Sequence, residues 1–111
     1  MRFLTLATLI FGSALTANAT TLNCHVNVNN ELRFQTQVQT QTKQRTYIGD
    51  TDTATAYITE KVDGVFTIEA FVADIEARIY GEGVLKSKTD RLSASLWTRT
   101  GVLDVECSPA N

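Results

Sequence analysis

Glu31-Leu32-Arg33-Phe34-Gln35-Thr36-Gln37-Val38-Gln39-Thr40 decides the fold class, because it sorts its residues by parity. Leu32, Phe34, Thr36, Val38, Thr40 and Thr42 fall on one face. Glu31, Arg33, Gln35, Gln37, Gln39, Gln41, Lys43 and Arg45 fall on the other. A helix, at 3.6 residues per turn, would scatter these positions around its circumference; a strand places alternate residues on opposite faces.

The same period runs outward in both directions. Upstream, Leu22, Cys24, Val26 and Val28 alternate with Asn23, His25 and Asn27. Asn29-Asn30 then supplies a tight turn, since asparagine tolerates positive φ. Downstream, Ala54, Ala56 and Ile58 alternate with Thr55, Tyr57 and Thr59. Asp63-Gly64 is a hairpin signal. Phe66, Ile68, Ala70 and Val72 follow, then Leu92, Ala94 and Leu96, then Leu103, Val105 and Cys107. Gly49-Asp50-Thr51-Asp52 and Gly81-Glu82-Gly83 read as turns or a bulge, and Lys86 to Asp90 as a polar loop. The stretch Ala70 to Arg78 reads as strand, with a short helix as the alternative, because Ala and Glu favour helix.

These runs predict an all-β protein of about seven to eight strands, a small antiparallel β-barrel or β-sandwich. The expected core is Leu22, Val26, Phe34, Val38, Ile58, Phe66, Ile68, Leu92, Leu96, Leu103 and Val105. Residues 1–19 read as a cleaved signal peptide. Arg2 is its basic region, Phe3 to Phe11 its short apolar region, and Ala17-Asn18-Ala19 its small-residue cleavage site. The apolar run is too short for a membrane helix, which needs about 20 residues. Residues 20–111 then form one β domain of a periplasmic or secreted protein. An isolated cysteine pair in that setting predicts a Cys24–Cys107 disulfide joining the terminal strands.

The formal charge of the 111-residue chain is −2. Loss of Arg2 with the leader takes it to −3. Mild acidity argues against nucleic acid or anionic lipid as a partner. His25 is the only histidine, and as the neighbour of Cys24 on a strand it points to the opposite face. A Cys-His nucleophilic pair and the usual zinc sets are therefore not expected. Asp50, Asp52 and Asp63 lack the remainder of a calcium loop. The reading is a non-enzymatic domain with no cofactor, no metal site and no membrane span.

Four side chains are the candidate binding residues: Trp97, Arg99, Arg78 and Tyr80. Each alternates out of phase with its aliphatic neighbours, so each falls on a nominally polar face. Aromatic and arginine side chains are enriched at binding hot spots. Tyr57 and Phe71 share the pattern, with burial expected for Phe71.

In size, leader and cysteine-bearing terminal strands the chain resembles the small periplasmic inhibitors of C-type lysozyme. The resemblance implies an exported, disulfide-bonded β-barrel that binds a hydrolase. That family's Ser-Gly-x-Arg-Tyr loop is not matched by Glu76-Ala77-Arg78-Ile79-Tyr80, so no site residue carries over. The expected function is an exported binding domain with a protein or glycan partner, including hydrolase inhibition. The alternatives are an assembly protein that uses its Gln/Thr strand, and a carrier of a small apolar ligand.

Overall fold

A computed structural model describes residues 19–110. The segment up to residue 18, on which the expected signal peptide falls, lies outside the described residues. The described residues form eight strands: β1 (Thr20–Val28), β2 (Glu31–Thr40), β3 (Arg45–Asp50), β4 (Ala54–Val62), β5 (Val65–Val72), β6 (Ala77–Val84), β7 (Leu92–Trp97) and β8 (Val102–Pro109). They form two antiparallel four-stranded sheets, in the orders β2-β1-β8-β7 and β3-β4-β5-β6. The sheets pack as a sandwich and do not close into a barrel, which settles the architecture left open by periodicity.

Period two becomes burial directly. Leu22, Cys24 and Val26 of β1, Ile58 of β4, Phe66 and Ile68 of β5, and Val105 and Cys107 of β8 are fully enclosed between the sheets. Apolar area removed from water stabilises such a core by roughly 25 cal/mol per Å². Phe34 and Leu96 differ from expectation: they are half-buried and pack against the core margin. Leu32 differs more, at 57% exposed. A bulge shifts the β1–β2 register between Val26 and Asn27, so Leu32 pairs with Asn27 on the outer face. One extra residue in a strand inverts the side-chain parity beyond it.

Asn29 and Asn30 both take positive φ, 55° and 67°, as the primed two-residue hairpin turn requires. The stretch 70–78 resolves into the end of β5, a short 3-10 turn (Ala73–Ile75), and the start of β6. Of two other expected turns, one is displaced by a residue or two and the other lies inside a strand. Gly49 and Asp50 end β3, and the bend falls at 51–53. Gly81 and Gly83 belong to β6. They share parity with buried Ile79 and so face inward. A Cβ on Gly81 would lie 2.9 Å from the Ser93 carbonyl oxygen, and one on Gly83 3.2 Å from Leu92 Cδ1. These glycines mark the corner where β6 approaches β7.

Cys24 and Cys107 form the disulfide, within one sheet and directly across from each other on neighbouring strands. The first and last strands are thus locked side by side. Among the described residues, no helix is long and apolar enough to cross a membrane.

Candidate functional site

The β1–β2, β3–β4, β5–β6 and β7–β8 connections gather at one end of the sandwich. Between them opens a cleft of about 220 Å³. Val28, Val72, Leu96 and Leu103 line it from both sheets, and Asp74 and Thr98 contribute polar groups. Ile75, in the 3-10 turn, also borders the cleft and is 53% exposed.

The turns around the cleft are held by their own side chains. The Thr98 hydroxyl accepts from the backbone N–H groups of Thr100 and Gly101 at 3.3 and 3.1 Å. Thr51 Oγ1 accepts from Thr53 and Ala54 N–H at 3.3 and 3.2 Å. Asn29 bridges the sheet end: its N–H donates to the Val102 carbonyl at 2.8 Å, and its Oδ1 accepts from Val102 N–H at 2.9 Å. Short Ser/Thr/Asn side chains that bond nearby backbone groups fix loop shape without a core of their own.

Trp97 stands where β7 enters this end and is 79% exposed. Arg99 is exposed in the β7–β8 turn that follows. Arg78 and Tyr80 belong to the other sheet, on the outer face of β6. The four candidates therefore form two pairs. No ring stacking or cation–π contact joins Trp97 to Arg78 or Tyr80 among the described residues.

Arg78 and Tyr80 sit in a network organised by Glu69 of β5. Arg78 donates from Nε and Nη2 to Glu69 Oε2 at 3.0 and 2.8 Å. Arg45 of β3 approaches Oε1 at 3.8 Å from the other side. The Arg45 guanidinium lies 4.1 Å from the Tyr57 ring centre, and that of Arg78 lies 5.4 Å from Tyr80. Tyr57 packs edge-on to Phe71 and tilted against Tyr47, both at 5.9 Å. Phe71 is 38% exposed rather than covered as expected. The outer face of this sheet is open, and the ring rests on Tyr57 and Arg78 instead of on a further layer.

Two groups on this face have displaced acidities. Lys61 and the Tyr80 hydroxyl hold the Glu82 carboxyl below its ordinary value by hydrogen bonding. Partial desolvation, then a hydrogen bond with Asp50, pushes the Tyr47 phenol above its own.

The polar face of the first sheet carries His25, whose Nε2 lies 3.2 Å from Glu106 Oε1. Cys24 is buried in its disulfide, so no Cys-His pair forms. Asp63 turns the chain between β4 and β5, at the opposite end of β4 from Asp50 and Asp52. The three carboxylates do not converge.

Ile75, Glu69 and Arg45 escaped sequence reading as site residues. Ile75 falls in the stretch from Ala70 to Arg78 that reads as strand, and only the 3-10 turn exposes it. Glu69 and Arg45 carried a usable signal, since they share parity with Tyr57 and Phe71 on adjacent strands. No protein-family model, curated protein or solved structure matches the chain.

Proposed function

We propose that this chain is an exported, non-enzymatic binding domain whose four-turn end engages a partner outside the cytoplasm. The observation that carries the reading is the apolar cleft at that end, with Trp97 and Ile75 exposed nearby. Large exposed apolar side chains around a concave apolar surface are characteristic of interaction sites. Loops on a rigid scaffold are where binding residues concentrate, and the disulfide adds to that rigidity. A disulfide also suits an oxidising compartment outside the cytoplasm.

Hydrolase inhibition is the specific form we favour. An ordered turn that projects an indole can enter a concave enzyme site at low entropic cost. The test titrates the purified domain, residues 20–111, against C-type lysozyme and a panel of secreted glycosidases and proteases. The expected result is stoichiometric inhibition of one of them that Trp97→Ala abolishes. A glycan array run alongside separates a sugar partner from a protein one. If neither the enzymes nor the glycans show Trp97-dependent binding, the reading fails.

A further inference from the structure

We infer that β2 pairs with β2 of a second copy of this chain, antiparallel and centred on Gln37, to form a two-fold edge-to-edge dimer. β2 is hydrogen-bonded to β1 alone, so its second edge has no strand partner among the described residues.

The residues that face this open edge follow from the disulfide. Opposed residues on antiparallel strands alternate between hydrogen-bonded pairs, about 5.5 Å apart at Cα, and non-hydrogen-bonded pairs at about 4.5 Å. Cys24 and Cys107 oppose each other with Cα atoms 4.1 Å apart, which identifies a non-hydrogen-bonded pair. The backbone N–H and C=O of Cys24 therefore turn away from β8 and toward Thr36, its partner on β2. Thr36 in turn directs its own groups to β1. By alternation Gln35, Gln37 and Gln39 direct theirs to the open edge. Their side chains are exposed on the outer face.

Beyond the bulge at Arg33, nothing in the sequence of this edge opposes pairing. Residues 35–42 contain no charge and no proline. Charges, prolines and bulges are the usual devices that keep edges apart. The other edges are treated differently: β3 is bulged between Tyr47 and Gly49, and β6 closes on β7 at Gly81 and Gly83.

The edge is also complementary to itself. With a two-fold axis at Gln37, that residue meets its own copy and Gln35 meets Gln39. Every outward N–H and C=O of the three glutamines then finds a partner, and their amides stack as a ladder. With the axis at Gln37 the paired segment is 34–40, the regular part of β2 beyond the bulge. A two-fold axis at Thr36 would instead draw Arg33, at the bulge, against Gln39. One strand pair falls below the roughly 1,200 Å² of a standard interface, so the dimer is weak and concentration-dependent.

Sedimentation equilibrium of residues 20–111, which contain the whole core, tests this over a wide concentration range. The expected result is a monomer–dimer equilibrium weakened at least tenfold by Gln37→Lys, which opposes two ammonium groups at the axis. Gln37→Pro, which deletes the outward N–H, should act alike. The Lys variant keeps the wild-type denaturation midpoint, and Ser93→Lys on β7 leaves the dimer intact. A chain that stays monomeric up to its solubility limit overturns the proposal. So does a dimer indifferent to both Gln37 variants, or one broken by Ser93→Lys instead.

Discussion

The Thr40 hydroxyl donates to Glu60 Oε1 at 3.0 Å, joining β2 of one sheet to β4 of the other through two buried residues. Glu60 is 3% exposed and shares the parity of Ala54, Ala56 and Ile58. The backbone reinforces the link nearby, where Lys43 N–H donates to the Glu60 carbonyl. Glu60→Ala should therefore destabilise the fold by about 1–3 kcal/mol, through the lost bond and the space left behind, with the Thr40 hydroxyl reduced to its longer bond to the Thr20 carbonyl at 3.4 Å. Glu60→Gln keeps an acceptor oxygen and should cost less. Urea melts of both variants check the order, and equal losses would show that the carboxylate charge, rather than an acceptor oxygen, sustains the link.

Removal of the disulfide should be costly. Cys24 and Cys107 are 83 residues apart in sequence, so the bond encloses nearly all of the described chain. The chain-entropy model gives about 4–5 kcal/mol for a loop of that length. The Cys24→Ala/Cys107→Ala double variant should show a much lower midpoint in guanidinium, with an increased m value if its unfolded state expands. A midpoint near that of the wild type would contradict the model.

Trp97→Ala should leave stability within about 0.5 kcal/mol, because the indole is mostly in water and fills no cavity. Binding to the partner should weaken by about 2 kcal/mol or more if the indole anchors the interface. Melts and titrations on the same preparation separate the two effects. A large stability loss would mean that the indole supports the turn rather than the partner.

Acid should loosen the loop between β6 and β7. Asp90 accepts from the backbone N–H groups of Lys86 and Ser87 at 2.8 and 2.9 Å. The bonds to Ser87 and Lys86 hold its carboxyl below the ordinary value. A carboxyl depressed in the folded state contributes stability that is whole above its unfolded-chain pKa. That contribution fades as the pH falls through the lower folded value. Amide exchange at Lys86 and Ser87 should quicken over that acid interval. Asp90→Asn should show fast exchange with no such step.

Most strands and the centre of the core were legible because water sits on one side of each sheet, and alternation records that directly. Phe66, Ile68, Leu22 and Val105 needed no knowledge of their neighbours. Most of the misreadings depended on another strand. Leu32 is turned outward by a bulge that only the β1 register reveals. Gly81 and Gly83 resemble turn residues until β7 is seen pressing on them. For the site, parity picked out Trp97, Arg99, Arg78 and Tyr80 as outward residues. It could not tell which sheet each belongs to, because that depends on strand order. Arg78 was therefore grouped with Trp97 when its bonds run to Glu69. The cleft had no sequence signature, since four separate turns build it.

The side-by-side placement of β1 and β8 also has a mechanical consequence. The outer ends of these strands lie together, with Leu22 opposite Pro109, Asn23 opposite Ser108 and Cys24 opposite Cys107. A force pulling those ends apart would unzip the pairs one at a time and then meet a covalent bond. Tension applied there would stall at Cys24–Cys107 and leave the enclosed strands unloaded. Single-molecule pulling should give almost no extension until a reductant is added.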